Sequence, residues 1–208
     1  MSKTLFLTFI FLFSTKVFCQ VNEPTFIGEV LALNGNSTTP LEKQRASIET
    51  KAGASMYIVG MGKISSKITI DGGNSSVRFE KGKELTFIVR ARDNNIDPLA
   101  TVNFFKFIPS SSRKSSRYAE VSSVGTFSGV KSNNFDFIEF TAEKYGEGSY
   151  LLHVQPLDLG EYGIIVNDPS MTGSKITIIS CFGIGTIDEY KENNESIKEG
   201  YETLIIDD

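Results

Sequence analysis

Tryptophan is absent from the 208 residues, histidine occurs once and cysteine twice. Each shortage closes off a class of chemistry. A serine or cysteine hydrolase needs a general base, and the one histidine, His153, sits in an alternating run on the face opposite Leu152 and Val154. No Gly-x-Ser-x-Gly elbow offers it a nucleophile. The phosphate-cradling patterns Gly-x-Gly-x-x-Gly and Gly-x-x-x-x-Gly-Lys-Ser/Thr are also missing, which removes support for nucleotide binding. With a formal net charge of −4 and no basic stripe, the chain lacks the phosphate-neutralising surface that nucleic acid demands. Its one basic cluster, Arg113, Lys114 and Arg117 in SSSRKSSR, has no interleaved aromatics and reads as a solvated loop.

What is present at the start has the anatomy of an export signal. Lys3 supplies the positive region, Leu5 to Phe13 (LFLTFIFLF) is an apolar run broken by Thr8, and Val17-Phe18-Cys19 closes it. That run is far short of the roughly 20 apolar residues that span a bilayer, and no later segment is long and uncharged enough to do so. Residues 1–19 are therefore expected to be a signal peptide, and the body to be secreted or periplasmic. Acylation of Cys19 is the alternative, although the bulky Phe18 stands where lipoprotein processing prefers a small side chain.

Cleavage there leaves Cys181 alone, so no internal disulfide is available and the core itself must hold the fold. A domain of this size buries roughly 70% of its unfolded surface, which suffices. Cys181 lies in the apolar run ITIISCF and reads as a buried thiol packed as a small hydrophobe. One histidine and one cysteine fall short of the three or four ligands of a zinc site.

Along the body, apolar residues recur every second position. In ELTFIVRAR, Leu85, Phe87, Val89 and Ala91 share one face while Glu84, Thr86, Arg90 and Arg92 share the other, with Ile88 the exception. Similar runs cover 26–33, 64–70, 76–80, 101–108, 135–140, 149–155, 161–167 and 175–182. Turn residues separate them, as in Asp71-Gly72-Gly73-Asn74, Gly146-Glu147-Gly148 and Asn167-Asp168-Pro169. This pattern predicts an all-β protein, an antiparallel β-sandwich of about nine strands over residues 20–182. Leu41 to Thr50 stays open: Thr39-Pro40-Leu41-Glu42 has the spacing of a helix capping box, yet the alternation also suits an edge strand, the reading preferred here.

Asp158-Leu159-Gly160-Glu161-Tyr162-Gly163-Ile164, preceded by the alternating Tyr150, Leu152 and Val154, resembles the Asp-x-Gly-x-Tyr-x-Cys corner of immunoglobulin-like domains. The resemblance covers about eighteen residues. It implies an immunoglobulin-like sandwich in which Gly160 permits the sharp turn and the Tyr162 hydroxyl bonds back to the corner backbone while its ring enters the core. Ile164 stands where the family has cysteine, and no tryptophan is present, so antibody-like ancestry is not implied.

No catalytic residues emerge. Asp93, Asn95 and Asp97 place oxygens at positions one, three and five of a calcium loop, but Pro98 replaces the required Gly and Phe104 the bidentate Glu. A different calcium geometry stays open beside the plain turn. Paired carboxylates for glycoside hydrolysis cannot be picked out by order, so a carbohydrate-active enzyme or a calcium-assisted sugar binder is the alternative to a non-catalytic binding or structural role. Tyr57, Tyr118 and Tyr145 are the aromatic candidates for a ligand surface, with core or edge packing the competing role for each. Partners are thus an unidentified protein or glycan. Asn36-Ser37-Thr38, Asn74-Ser75-Ser76 and Asn194-Glu195-Ser196 fit the N-glycosylation pattern. Residues 183–208 form an acidic tail with eight acids against Lys191 and Lys198, either disordered or an amphipathic helix through Ile187, Tyr190, Ile197 and Tyr201.

Overall fold

Period-two segments become strands in the computed structural model, which describes residues 21–52, 63–110, 116–125, 129–132, 136–168, 176–190 and 192. The signal segment, Tyr57, Arg113, Lys114 and the tail beyond 192 lie outside the described residues. In chain order the strands are β1 (Val30–Asn34), β2 (Ser37–Pro40), β3 (Glu42–Ala52), β4 (Lys63–Asp71), β5 (Arg78–Phe79) and β6 (Leu85–Arg90). A single helical turn, α1 (Pro98–Thr101), leads into β7 (Val102–Lys106), β8 (Ile108–Pro109), β9 (Ser116–Gly125) and β10 (Gly129–Ser132). Then come β11 (Thr141–Tyr145), β12 (Ser149–Val154), β13 (Gly160–Val166) and β14 (Ile176–Ile184).

Two sheets result. One has five strands in the order β11-β12-β6-β1-β2; the other runs β10-β9-β4-β3-β14-β13-β7, with β5 attached to β14 and β8 to β9. All pairings are antiparallel except β5 with β14. The all-β antiparallel sandwich is thus as expected. The described strands outnumber the nine runs because β2, β8, β10 and β11 are too short to register an alternation, β3 lies in the segment left open, and the ten-residue β9 reads as loop at its start and carries no recognised run beyond.

The larger sheet folds back on itself along β3, whose first half pairs with β14 and whose second half pairs with β4. As a result β7, β13 and β14 send alternate residues into two cores. Phe104, Tyr162, Ile164, Phe182 and Ile184 meet Phe87, Val89, Leu152 and Val154 of the five-stranded sheet. Phe105, Ile165, Ile179 and Cys181 meet Ile68, Ile70 and Ala119 of β4 and β9. β13 is buried at every position from Gly160 to Ile165, the mark of a strand covered on both faces.

Several segments depart from the sequence reading. Leu41 to Thr50 is strand: Glu42 spends its carboxylate on distant serines, so no capping box forms. Ile88, the exception in its run, is fully buried on the face opposite Phe87, flanked in register by Leu31 and Leu151. Of the 135–140 run, only an isolated bridge between Phe137 and Phe105 forms, with Lys106 N–H donating to Asp136 O and Ile138 N–H to Phe104 O. The boundary drawn after residue 182 falls inside β14, which continues to Ile184, and Tyr190 beyond it is buried. Arg117 is not in a solvated loop: it lies in β9 and is completely buried.

Candidate functional site

The described residues gather their buried charge at one end of the smaller core, where β3, β9, β13 and β14 meet the segment that leads into β5. Glu161 and Arg117 have fully buried side chains, and Ser75 is 1% exposed. Such charges stay inside only when paired and hydrogen-bonded. Arg78 meets that requirement for Glu161, donating from Nη1 to Oε1 at 2.5 Å, from Nε to Gly185 O at 2.5 Å and from Nη2 to Ile184 O at 3.2 Å. The Ser75 amide donates to the other Glu161 oxygen at 2.7 Å.

Glu42, opposite Cys181 in the ladder, completes the cluster. Its Oε2 accepts from the Ser76 amide at 2.6 Å and the Ser75 hydroxyl at 2.9 Å, and its Oε1 from Gln44 at 2.6 Å. Arg117 donates from Nη1 to Gly72 O at 2.9 Å and from Nη2 to Glu42 Oε1 at 3.3 Å, with Nε 4.0 Å from Glu161 Oε2. Its guanidinium also lies 5.5 Å from the Phe107 ring centre. Two glutamates and two arginines thus tie residues 72–78 to four strands. These contacts hold that segment against the sheet as a clamp.

The titration directions agree with that role. Burial pushes Glu161 up from the ordinary carboxylate range, against the pull of Arg78, the Ser75 amide and Arg117. Burial also pushes the Cys181 thiol up to about 12, which leaves it protonated and unreactive. Desolvation opposes ionisation of Glu42 too, but bonds from Gln44, the Ser76 amide and the two serine hydroxyls hold it at about 2.

A second clamp fixes the stretch before β1. Glu23 accepts from the Glu147 and Gly148 amides at 2.7 and 3.2 Å, from the Ser149 hydroxyl and from Arg90, and the Tyr145 hydroxyl donates to Val21 O. Desolvation raises its pKa, and the Ser149, Glu147, Gly148 and Arg90 bonds outweigh it, leaving the carboxyl at about 2. Gly146 is required here: its φ is +58°, and a Cβ would lie 2.1 Å from Glu23 Oε1.

These two carboxyls set a pH dependence. Both are depressed, so the stability they lend is complete above the ordinary value of 4.5 and is lost as pH falls toward about 2. Glu161, raised, acts in the opposite sense and offsets part of the loss. The expected thermal melts hold or rise slightly from neutrality to the carboxylate range as Glu161 takes its proton, and then drop steeply; a melting temperature that still climbs below about pH 4.5 contradicts the assignment.

The residues singled out from sequence are scattered. Asp93 Oδ1 accepts from the Asn95 amide and Asp97 Oδ1 from the Leu99 amide, both at 2.9 Å, so one closes a turn and the other caps α1. Asn95 Oδ1 takes Lys144 Nζ at 2.9 Å. Among the described residues no group of three His, Cys, Asp or Glu side chains is placed to hold a metal ion. His153 is half-exposed beside Glu143 at 3.7 Å. Tyr118 lies under the Lys67 ammonium at 4.0 Å. No described helix is long and apolar enough to cross a membrane.

At the corner, the Tyr162 hydroxyl donates to Asp158 O at 2.8 Å and the ring stacks on Phe182 with centroids 5.5 Å apart. Gly160 is outside the left-handed region; it makes room for Lys106, whose Cε would lie 2.6 Å from an added Cβ. Removing the hydroxyl with Tyr162→Phe is expected to cost on the order of 1 kcal/mol in urea denaturation. No measurable change would mean that the bond does not hold the corner.

A groove of about 280 Å³ opens at the end of the sandwich between β1, β2 and the segment from β5 to β6. Comparison with known proteins returned no matching family model, no matching curated protein and no matching solved structure.

Proposed function

We propose that the chain is an exported, immunoglobulin-like β-sandwich that acts by binding a partner or by structural association, without catalysis. The observation that carries this reading is the dense internal pairing of the buried cluster, in which Arg117 Nε, 4.0 Å from Glu161 Oε2, is left without a hydrogen bond. Glu42, Glu161, Arg78 and Arg117 are the groups whose burial and charge would suit acid–base work, and their hydrogen bonds go to one another, to the Gln44, Ser75 and Ser76 side chains and to backbone. A general acid or base must instead reach a substrate proton. The corner bond from Tyr162 to Asp158 supports the immunoglobulin-like part, and the signal-like segment from Lys3 to Cys19 supports export.

A second reading, a carboxylate-dependent carbohydrate enzyme, is favoured by one observation: Glu42 and Glu161 are brought together around Ser75. A turnover assay across glycoside and ester substrates separates the two. No turnover by wild-type protein is the expected result. Turnover abolished by Glu42→Gln or Glu161→Gln, with the fold intact by circular dichroism, overturns the non-catalytic reading.

A further inference from the structure

Within that binding reading, on which this inference rests, the groove beside β5 has the chemistry of a defined ligand class. Its floor is apolar and continuous with the larger core: Ala32 belongs to that core, and Phe79 and Leu85 pack against it while staying partly open. Its rim is polar and comes from two separated stretches, with Asn34 and Thr39 on one side and Glu80, Lys83, Glu84 and Thr86 on the other. An apolar floor under a ring of amide, hydroxyl and carboxylate groups suits a molecule with C–H bonds on one face and hydroxyls around its edge.

The charges narrow the class. Arg78 is committed to Glu161 and to the Ile184 and Gly185 carbonyls, and Lys83 pairs with Glu80 at 2.5 Å. Glu84 is then the surplus charge, an exposed carboxylate on the rim. Anionic ligands are disfavoured, and a neutral polyol finds in Glu84 a charged acceptor that two neighbouring hydroxyls can share. The volume lies just under the roughly 300–1,000 Å³ of sites for drug-sized ligands, which fits one sugar ring.

The floor is also held in place before any ligand arrives. Phe79 is paired to Ile184 in the ladder and packs edge-on against Phe87 and Phe182, while the neighbouring Arg78 is fixed by three hydrogen bonds. Such preorganisation lowers the cost of binding. We propose that the groove between β1, β2 and the β5–β6 segment binds a neutral sugar residue, with Phe79 and Leu85 under its apolar face and Glu84 accepting from its hydroxyls.

The test is amide-resolved NMR of the exported body, residues 20–208, titrated with glucose, galactose, mannose and N-acetylglucosamine, and with glucosamine and glucuronic acid as charged controls. Saturable shifts confined to residues 32–39 and 78–86, with millimolar affinity for at least one neutral sugar, are expected. Glu84→Ala, on an exposed position that leaves the fold intact, should weaken that affinity about tenfold. No shifts with any neutral sugar, shifts centred elsewhere, or preference for glucuronic acid overturns the assignment. Its failure is distinguishable from failure of the broader reading, because turnover of a glycoside sinks the non-catalytic role, whereas sugar-free spectra sink the groove alone.

Discussion

Arg117→Ala is expected to destabilise the protein by about 3–5 kcal/mol, the range for removing one partner from a buried charge cluster. The side chain is fully buried and, among the described residues, is the cation paired with Glu42 and a second cation for Glu161. Without it, Glu42 keeps its serine bonds but loses its counter-charge, the Gly72 carbonyl loses its donor, and a void opens beside Phe107. Urea denaturation with a constant slope measures the loss. Arg117→Met keeps much of the volume, and combining it with Glu42→Gln removes the carboxylate left without its counter-charge, while Glu161 keeps Arg78. That double variant is expected to recover part of the deficit, since an ion pair can be exchanged for neutral groups nearly without cost. A loss below about 1 kcal/mol for Arg117→Ala would mean that the cluster is open to water.

Phe182→Ala is the other large effect, again about 3–5 kcal/mol. The ring is fully buried in the larger core and touches four others: Phe87 at 5.2 Å, Phe79 and Tyr162 at 5.5 Å, and Phe104 at 5.9 Å between centroids. These come from β5, β6, β7 and β13, so the ring joins both sheets. Truncation removes its own transfer energy and leaves a cavity that four rigid neighbours cannot refill. Phe182→Leu should cost much less. Equal losses for the two variants would show that ring shape, and not filled volume, is what the site demands.

Period two was enough to read the class of fold, because a half-buried strand writes its burial pattern directly into alternate positions, as in Tyr150, Leu152 and Val154 with Leu151 and His153 more open between them. The central strands announced themselves differently, as near-continuous apolar runs such as ITIISCF. What stayed hidden was the layering, since nothing local says that one half of β3 pairs with β14 and the other half with β4. The buried cluster was hidden for the same reason. Arg78 and Glu161 are 83 residues apart, and Arg117 and Glu42 are 75 apart. SSSRKSSR has a surface composition, and only the carboxylates waiting beneath it turn Arg117 inward. One clue was visible: Glu161, a charge inside the run from Leu159 to Val166, is a residue that burial would force to find a cation. Glu23 left no such mark, because two of its four partners are backbone amides, which any sequence supplies, and the other two, Arg90 and Ser149, are distant in sequence.

The layer shared by both cores is built mainly from β13 and β14, between Gly160 and Ile184. A polypeptide emerging from the ribosome can therefore complete neither core until residue 184 is out, since the strands made before it pair with one another but lack the layer between them. Both cores thus wait on the same late pair of strands, so one truncation before Ile184 would leave each of them without its shared wall.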